Sequence, residues 1–267
     1  MDRTRAKALA SAALLVSSQA LGAELPRDAD VTRPCRPTVS CTADLAAPGS
    51  VEAEIGGAYA KLGDGSRQWA YPFLVKQTLT RLLQVQVGSN GYTVTRAAGV
   101  LAPSTRHVDN LILGPKLHLL DQSSWAPSIA LTAQASLPAF ASGNDGAFFT
   151  AHASKDVDRW HVDGNVGVDA WWGIGDAAAQ PFGALALSVT AVPPFGVALE
   201  GYAFGDAQPY APRDGGVRAA ITATPRSWLV FDFGGDVAWF PSTRAFSLFV
   251  GMTVLPVAFW REPEGSP

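Results

Sequence analysis

A chain of 267 residues, 48% hydrophobic and only 16% charged, is long enough for one large domain, and its formal charge of −3 offers no basic surface to nucleic acid. The 26 Gly and 19 Pro are scattered without period, which excludes collagen-like and low-complexity chains.

Residues 1–23 begin with Arg3, Arg5 and Lys7 and continue in an uncharged run from Ala8 to Ala23. A basic start, a short apolar stretch and small residues at its end are the layout of a cleavable export signal, with cleavage expected after Ala23 or, less favourably, after Ala20. The run is shorter than the roughly 20 residues a spanning helix needs. Its removal takes away Asp2 and three basic residues and moves the formal charge to −5. No Cys follows the run, so no lipid anchor is expected.

Residues 24–50 lack alternation and contain Pro26, Pro34, Pro37 and Pro48, which reads as an irregular N-terminal extension. Both cysteines of the chain, Cys35 and Cys41, lie in it. In an exported chain they are expected to close a small disulfide loop, and without a neighbouring His they make no zinc site. No cofactor is expected.

From Val51 onward, short runs of alternating apolar and polar residues recur between turn residues. The clearest is Trp160 to Trp172. Its even positions (Trp160, Val162, Gly164, Val166, Val168, Ala170, Trp172) carry no polar residue, while the odd ones include His161, Asp163, Asn165 and Asp169. Successive strand side chains point to opposite faces, and 13 residues span about 40 Å, roughly 30 Å in height when tilted. Soluble sandwich strands are about half as long. Replacement of Val166 by Arg is therefore expected to be costly, and of Asn165 far less so.

Twelve such segments are expected, near 51–61, 69–79, 82–92, 108–121, 124–137, 146–156, 160–173, 178–191, 196–206, 213–224, 227–239 and 243–256. Alternate links are tight, among them Thr80-Arg81, Val192 to Phe195 and Pro225-Arg226, whereas others are longer, notably Thr93 to His107. The fold class is thus all-β: a single, antiparallel, up-and-down transmembrane β-barrel of about twelve strands over residues 51–260. Short periplasmic turns and longer outer loops place it in the outer membrane with both termini in the periplasm. Trp125, Trp160 and Trp228 fall at one rim and Trp69, Trp172 and Trp239 at the other, as a membrane-interface belt against outer-membrane lipid would have them. The uncharged stretch Ala177 to Leu199 is no helix, because Pro181 and Pro193-Pro194 interrupt it at about 3 kcal/mol per interior proline.

The stretches Tyr71-Pro72-Phe73-Leu74-Val75-Lys76, Leu113-Gly114-Pro115-Lys116-Leu117, Leu137-Pro138, Ala198-Leu199-Glu200-Gly201-Tyr202 and Asp214-Gly215-Gly216-Val217 occur in suggestive order. Over residues 51–256 the chain resembles outer-membrane transporters associated with phenol-degradation pathways. The resemblance implies a channel for small solutes, aromatic ones among them. The terminal Phe with which many barrels end is missing; the last aromatics are Phe259 and Trp260.

Gly-x-Ser-x-Gly, His-Glu-x-x-His and a Walker A loop are all absent. A lipid-modifying barrel enzyme needs its nucleophile and His toward the bilayer, yet His118, His152 and His161 take lumenal parity and His107 lies in a link. The chain is read as no enzyme. By the same parity the pore lining receives Glu52, Glu54, Lys76, Lys116, His118, His152, His161, Asp163, Asp169, Glu200, Arg218, Asp232 and Asp236: seven acids against three bases. Charges in such a tube are paired or hydrated. Two readings compete on this: a narrow wetted pore, favoured here, and a closed structural or binding barrel. Residues 24–50 acting as a plug would be a third influence on selectivity. Oligomeric state is not legible.

Overall fold

The computed structural model describes residues 30–99, 103–138, 145–172, 177–206, 213–241 and 243–260. The expected export signal at 1–23 lies outside them. The strands are β1 (Ser50–Lys61), β2 (Arg67–Thr78), β3 (Leu83–Arg96), β4 (Ser104–Val108), β5 (Leu111–Leu120), β6 (Ser128–Leu137), β7 (Asp145–Val157), β8 (Trp160–Trp172), β9 (Ala178–Val192), β10 (Phe195–Phe204), β11 (Asp214–Arg226), β12 (Leu229–Phe240) and β13 (Thr243–Ala258).

Each long strand pairs antiparallel with its sequence neighbours. β1 bonds to β13, and β2 to β3, so that twelve strands close a ring and leave no open edge. No helix among the described residues is long and apolar enough to cross a membrane; the strands have the length to do so.

The thirteenth strand departs from the expected pattern. Thr93–Arg96, expected in a loop, extends β3, and Ser104–Val108 forms β4 against it, with Tyr92 opposite Val108 and Arg96 opposite Ser104. β5 takes over the same partner lower down, from Gly88 opposite Ile112 to Leu83 opposite Leu117. The fourth wall strand is therefore broken at Asp109-Asn110, with β4 as a fully exposed outer half. The β-branched run Thr93-Val94-Thr95, with Thr95 opposite Thr105 and Tyr92 opposite Val108, sustains the pairing in a stretch expected to be loop.

Side-chain burial alternates along the strands, inverted relative to a soluble protein. In β12, Phe231, Phe233 and Val237 are exposed while Asp232 and Asp236 are buried. In β10, Val197 and Leu199 are exposed beside a buried Glu200. The largest side chains that are fully buried are Lys76 and Lys116. Leu113, Leu131, Phe149, Val166, Leu185, Ile221 and Val250 instead form an outward apolar band far larger than a soluble monomer exposes. Trp125, Trp160 and Trp228 stand at the end of the barrel where β1 begins and β13 ends, here the terminal end. Trp69, Trp172 and Trp239 stand at the opposite, loop end. All but Trp69 and Trp228 are exposed, Trp125 by 87%.

Val166 sits at the centre of β8 with 63% of its surface exposed on the outer band. Arg at this position is expected to destabilise the barrel in lipid by about 2–4 kcal/mol. Arg at Thr150, an inward position one strand away, is expected to cost less than about 1 kcal/mol, since it meets open lumen. Urea unfolding in bilayers checks both; equal costs would contradict the facing.

Candidate functional site in the barrel lumen

Period-two alternation aims Glu52, Glu54, Lys76, Lys116, His118, His152, Asn165, Glu200, Asp232 and Asp236 inward, and all ten are buried. What buries them is the N-terminal segment. Residues 30–49 do not hang outside the barrel but run up into its terminal half, turn near mid-height, and return to begin β1.

The path is fixed by hydrogen bonds. Thr32 N–H donates to the Ser227 carbonyl in the terminal-end turn at 3.0 Å. Arg33 N–H donates to Glu52 Oε1 at 3.0 Å, and the N–H groups of Cys35 and Arg36 donate to the two oxygens of Glu54 at 2.9 and 3.1 Å. Val39 and Ser40 N–H each donate to Glu200 at 2.7 Å, and the Ser40 hydroxyl adds a third bond at 2.6 Å. On the return, His152 Nδ1 meets the Cys41 carbonyl at 3.1 Å, Ala43 N–H donates to Ser154 Oγ at 2.6 Å, and His118 Nδ1 meets the Ala43 carbonyl at 3.2 Å. Asn165, with its amide turned to suit, accepts from Cys41 N–H at 2.8 Å and donates to the Cys41 carbonyl at 3.0 Å. It is 4% exposed, so the expectation that Arg would be tolerated there fails: the position faces the segment, not water.

The charges meet partners in the same way. Lys76 Nζ bridges Glu52 and Glu54 at 3.1 and 2.6 Å and donates to the Arg33 carbonyl at 2.6 Å, all three side chains being 2% exposed or less. Arg36, unassigned by sequence, lies along the wall formed by β1, β13 and β12 and reaches Asp232, with Nε and Nη2 donating at 3.2 and 3.1 Å. It passes through a slot left by the cross-strand pair Gly56 and Gly251, where a Cβ on either would stand 2.7 Å from the guanidinium carbon. Asp236 accepts from Tyr202 and from Ser247 (2.6 Å), with Arg218 at 3.8 Å. Arg218 donates to the Pro37 carbonyl at 3.1 Å and lies over the rings of Tyr202 and Phe249. His161 bridges Asp156 and Asp163 at 2.6 and 3.0 Å. Asp169, higher on β8, has no hydrogen-bond or ion-pair partner among the described residues. Cys35 and Cys41 form the expected disulfide.

Above the segment lies a cavity of about 390 Å³. Cys35, Arg36, Thr38, Val39 and Cys41 line its floor side. One wall is an amide ladder, in which Gln134 donates to Gln86 at 3.0 Å and Gln86 to Gln84 at 2.8 Å. Phe182 lines the other side and stacks on Phe204 at 5.5 Å, which meets Tyr202 edge-on at 6.0 Å. No group of three or more His, Cys, Asp or Glu among the described residues is placed to hold a metal ion.

No protein family and no curated protein matches the chain. Solved structures do. An outer-membrane channel from Pseudomonas putida F1 superposes with a TM-score of 0.63 at 12% identity, covering 80% of this chain and 97% of that one. The NanC porin superposes with a TM-score of 0.56 at 8% identity, covering 76% and 98%. The chain shares the closed β-barrel fold of these two proteins. At these identities the likeness is one of architecture, and the buried network above belongs to this chain's own residues.

Lys76 is the only side chain that offsets Glu52 and Glu54 by direct ion pairing among the described residues. Lys76→Met leaves two carboxylates buried against each other and is expected to cost about 3–5 kcal/mol in urea unfolding. Lys76→Met combined with Glu54→Gln is expected to recover part of that loss; a double variant as damaged as the two single changes summed would contradict direct coupling.

Proposed function

We propose that this chain is an outer-membrane channel for small solutes, aromatic ones among them, exported by its N-terminal signal and inserted with both termini in the periplasm. The observation that carries the reading is the lumen itself: a closed barrel encloses a polar, partly aromatic vestibule at the loop end, floored by a tethered segment of the same chain. Its architecture is shared with channels and porins. The amide ladder gives hydroxyl-bearing solutes donors and acceptors, and the faces of Phe182 and Phe204 give a planar ring a stacking surface.

Charge shapes the preference. Arg36 joins Lys76, Lys116 and Arg218 against the seven lumenal acids, so that this set keeps a formal −3, and Asp169 stands unpaired toward the loop end. Low-dielectric walls focus that field, in which Asp169 has no partner among the described residues, and so favour cations and uncharged solutes over inorganic anions. Solute passage is limited by residues 30–49, which narrow the terminal half.

A closed, non-conducting barrel is the competing reading, favoured by the nearly complete hydrogen bonding of that segment. Planar-bilayer recording separates the two. The full chain is expected to conduct in small, cation-preferring steps, and a variant lacking the residues up to 47 is expected to show several-fold larger ones. A silent full chain beside a conducting truncation would establish the closed barrel, and silence from both folded proteins would overturn any channel role.

A further inference from the structure

Lys116 has no place in the ion pairs that hold the other lumenal bases, Lys76, Arg36 and Arg218. Its side chain projects from β5 into the segment and the residue is 1% exposed. Among the described residues it makes no ion pair with a carboxylate. Its partners are the Thr42 carbonyl and, at 3.7 Å, the Sγ of Cys41. Burying an ammonium with no carboxylate in contact is costly, even with Asp163, Glu52 and Asp44 in the surroundings, and a barrel wall has no need of it. The anion that would match it is a thiolate at Cys41.

The other half of the disulfide is placed differently. Cys35 and Cys41 both line the 390 Å³ cavity and both keep partial exposure, so a small molecule in the vestibule reaches the S–S bond from the loop side. Cys41 is held on both flanks: its carbonyl and N–H by His152 and Asn165, the following residues by Lys116 and Ser154. Cys35 is held through its N–H by Glu54, and no cation is bonded to its sulfur among the described residues.

We propose that Cys35–Cys41 is a thiol-exchange site in the vestibule floor, polarised by Lys116, which accepts small thiols at Cys35. The thiolate of the incoming thiol attacks Cys35 Sγ in line with the S–S bond. A new S–S bond forms between the thiol and Cys35, the Cys35–Cys41 bond breaks, and its electron pair leaves on Cys41 as a thiolate beside the Lys116 ammonium. One thiolate enters and one leaves, so charge and electrons balance and no other oxidant or reductant is consumed. Leaving-group stability governs which sulfur is attacked, because the thiol with the lower pKa departs faster. A cation beside only one of the two sulfurs makes the choice one-sided. The inference goes beyond the channel reading and does not depend on conductance.

The test uses the folded, full-length barrel in detergent, with 2-mercaptoethanol as the thiol, iodoacetamide as the trap for the released thiolate, and fragment-ion mass spectrometry to locate each group. The expected result is the mercaptoethanol adduct on Cys35 and the carbamidomethyl group on Cys41, in at least about tenfold excess over the reverse product. Lys116→Met is expected to slow exchange about tenfold and to remove the preference, while Lys116→Arg, which retains a cation, is expected to keep it. Equal adducts on the two cysteines of the unmodified protein, an excess on Cys41, or exchange only in the heat-unfolded form on a gel would each overturn the proposal. The adduct position in the unmodified protein decides even if Lys116→Met fails to fold.

Discussion

Closure of the sheet is the constraint on which everything else rests. A strand facing hydrocarbon has no water to satisfy its N–H and C=O groups, so all of them must be paired with neighbouring strands, and a sheet with an edge cannot meet that demand. The β2–β3 pairing removes the last edge. Once the ring is closed, period two leaves each residue one of two environments. The outward set becomes Val166, Leu185, Ile221 and Phe233, and the inward set becomes Lys76, Lys116, Glu200 and Asp232. A barrel of this kind has no apolar core, and its interior must be held by polar chemistry.

That interior is too wide for its own wall side chains to fill, and many of these are small. Ala184, Ala186, Ala198, Ala220 and Ala238 all face inward, yet all are 8% exposed or less. Residues 30–49 occupy the space. They bring what the wall lacks: backbone N–H groups for Glu52, Glu54 and Glu200, and one guanidinium for Asp232. Hydrogen bonds to charged groups contribute about 1.5–3 kcal/mol each and so offset much of the entropy of ordering the segment, which β1 and the disulfide already restrict. The same contacts place the disulfide within the lumen, below the cavity, and divide the barrel into a filled terminal half and an open vestibule.

The barrel was legible because its signal is local and repeated. Trp160 to Trp172 declares both its facing and its length without reference to any other strand, and the wall strands lie within a few residues of the expected bounds, apart from the late start of β6 at Ser128. β4 was not legible, since the Thr93 to His107 stretch reads as a long link and the pairing of Thr93–Arg96 extends past the apolar band. The segment was expected at most as a plug; its path and its partners were the larger omission, and the reason is physical. Residues 30–49 have no periodicity because their conformation is set by partners distributed over β1, β2, β5, β7, β8, β10, β11, β12 and β13 rather than by themselves. A signal did exist in the charge count. Seven inward acids against three bases require further donors inside, and Arg36, with the backbone N–H groups around it, meets that need; the Gly56–Gly251 pair marks where the guanidinium passes.

The central claim is that residues 32–43 are folded structure inside the barrel, held by the wall, rather than a tail outside it. Amide hydrogen exchange of the full chain in lipid tests this directly at Cys35, Arg36, Val39 and Ser40, whose N–H groups donate to Glu54 and Glu200. The account predicts protection of these four amides by at least about a hundredfold over unstructured chain, approaching that of the strands themselves. Exchange at the unstructured rate, in a barrel whose strands stay protected, would contradict it.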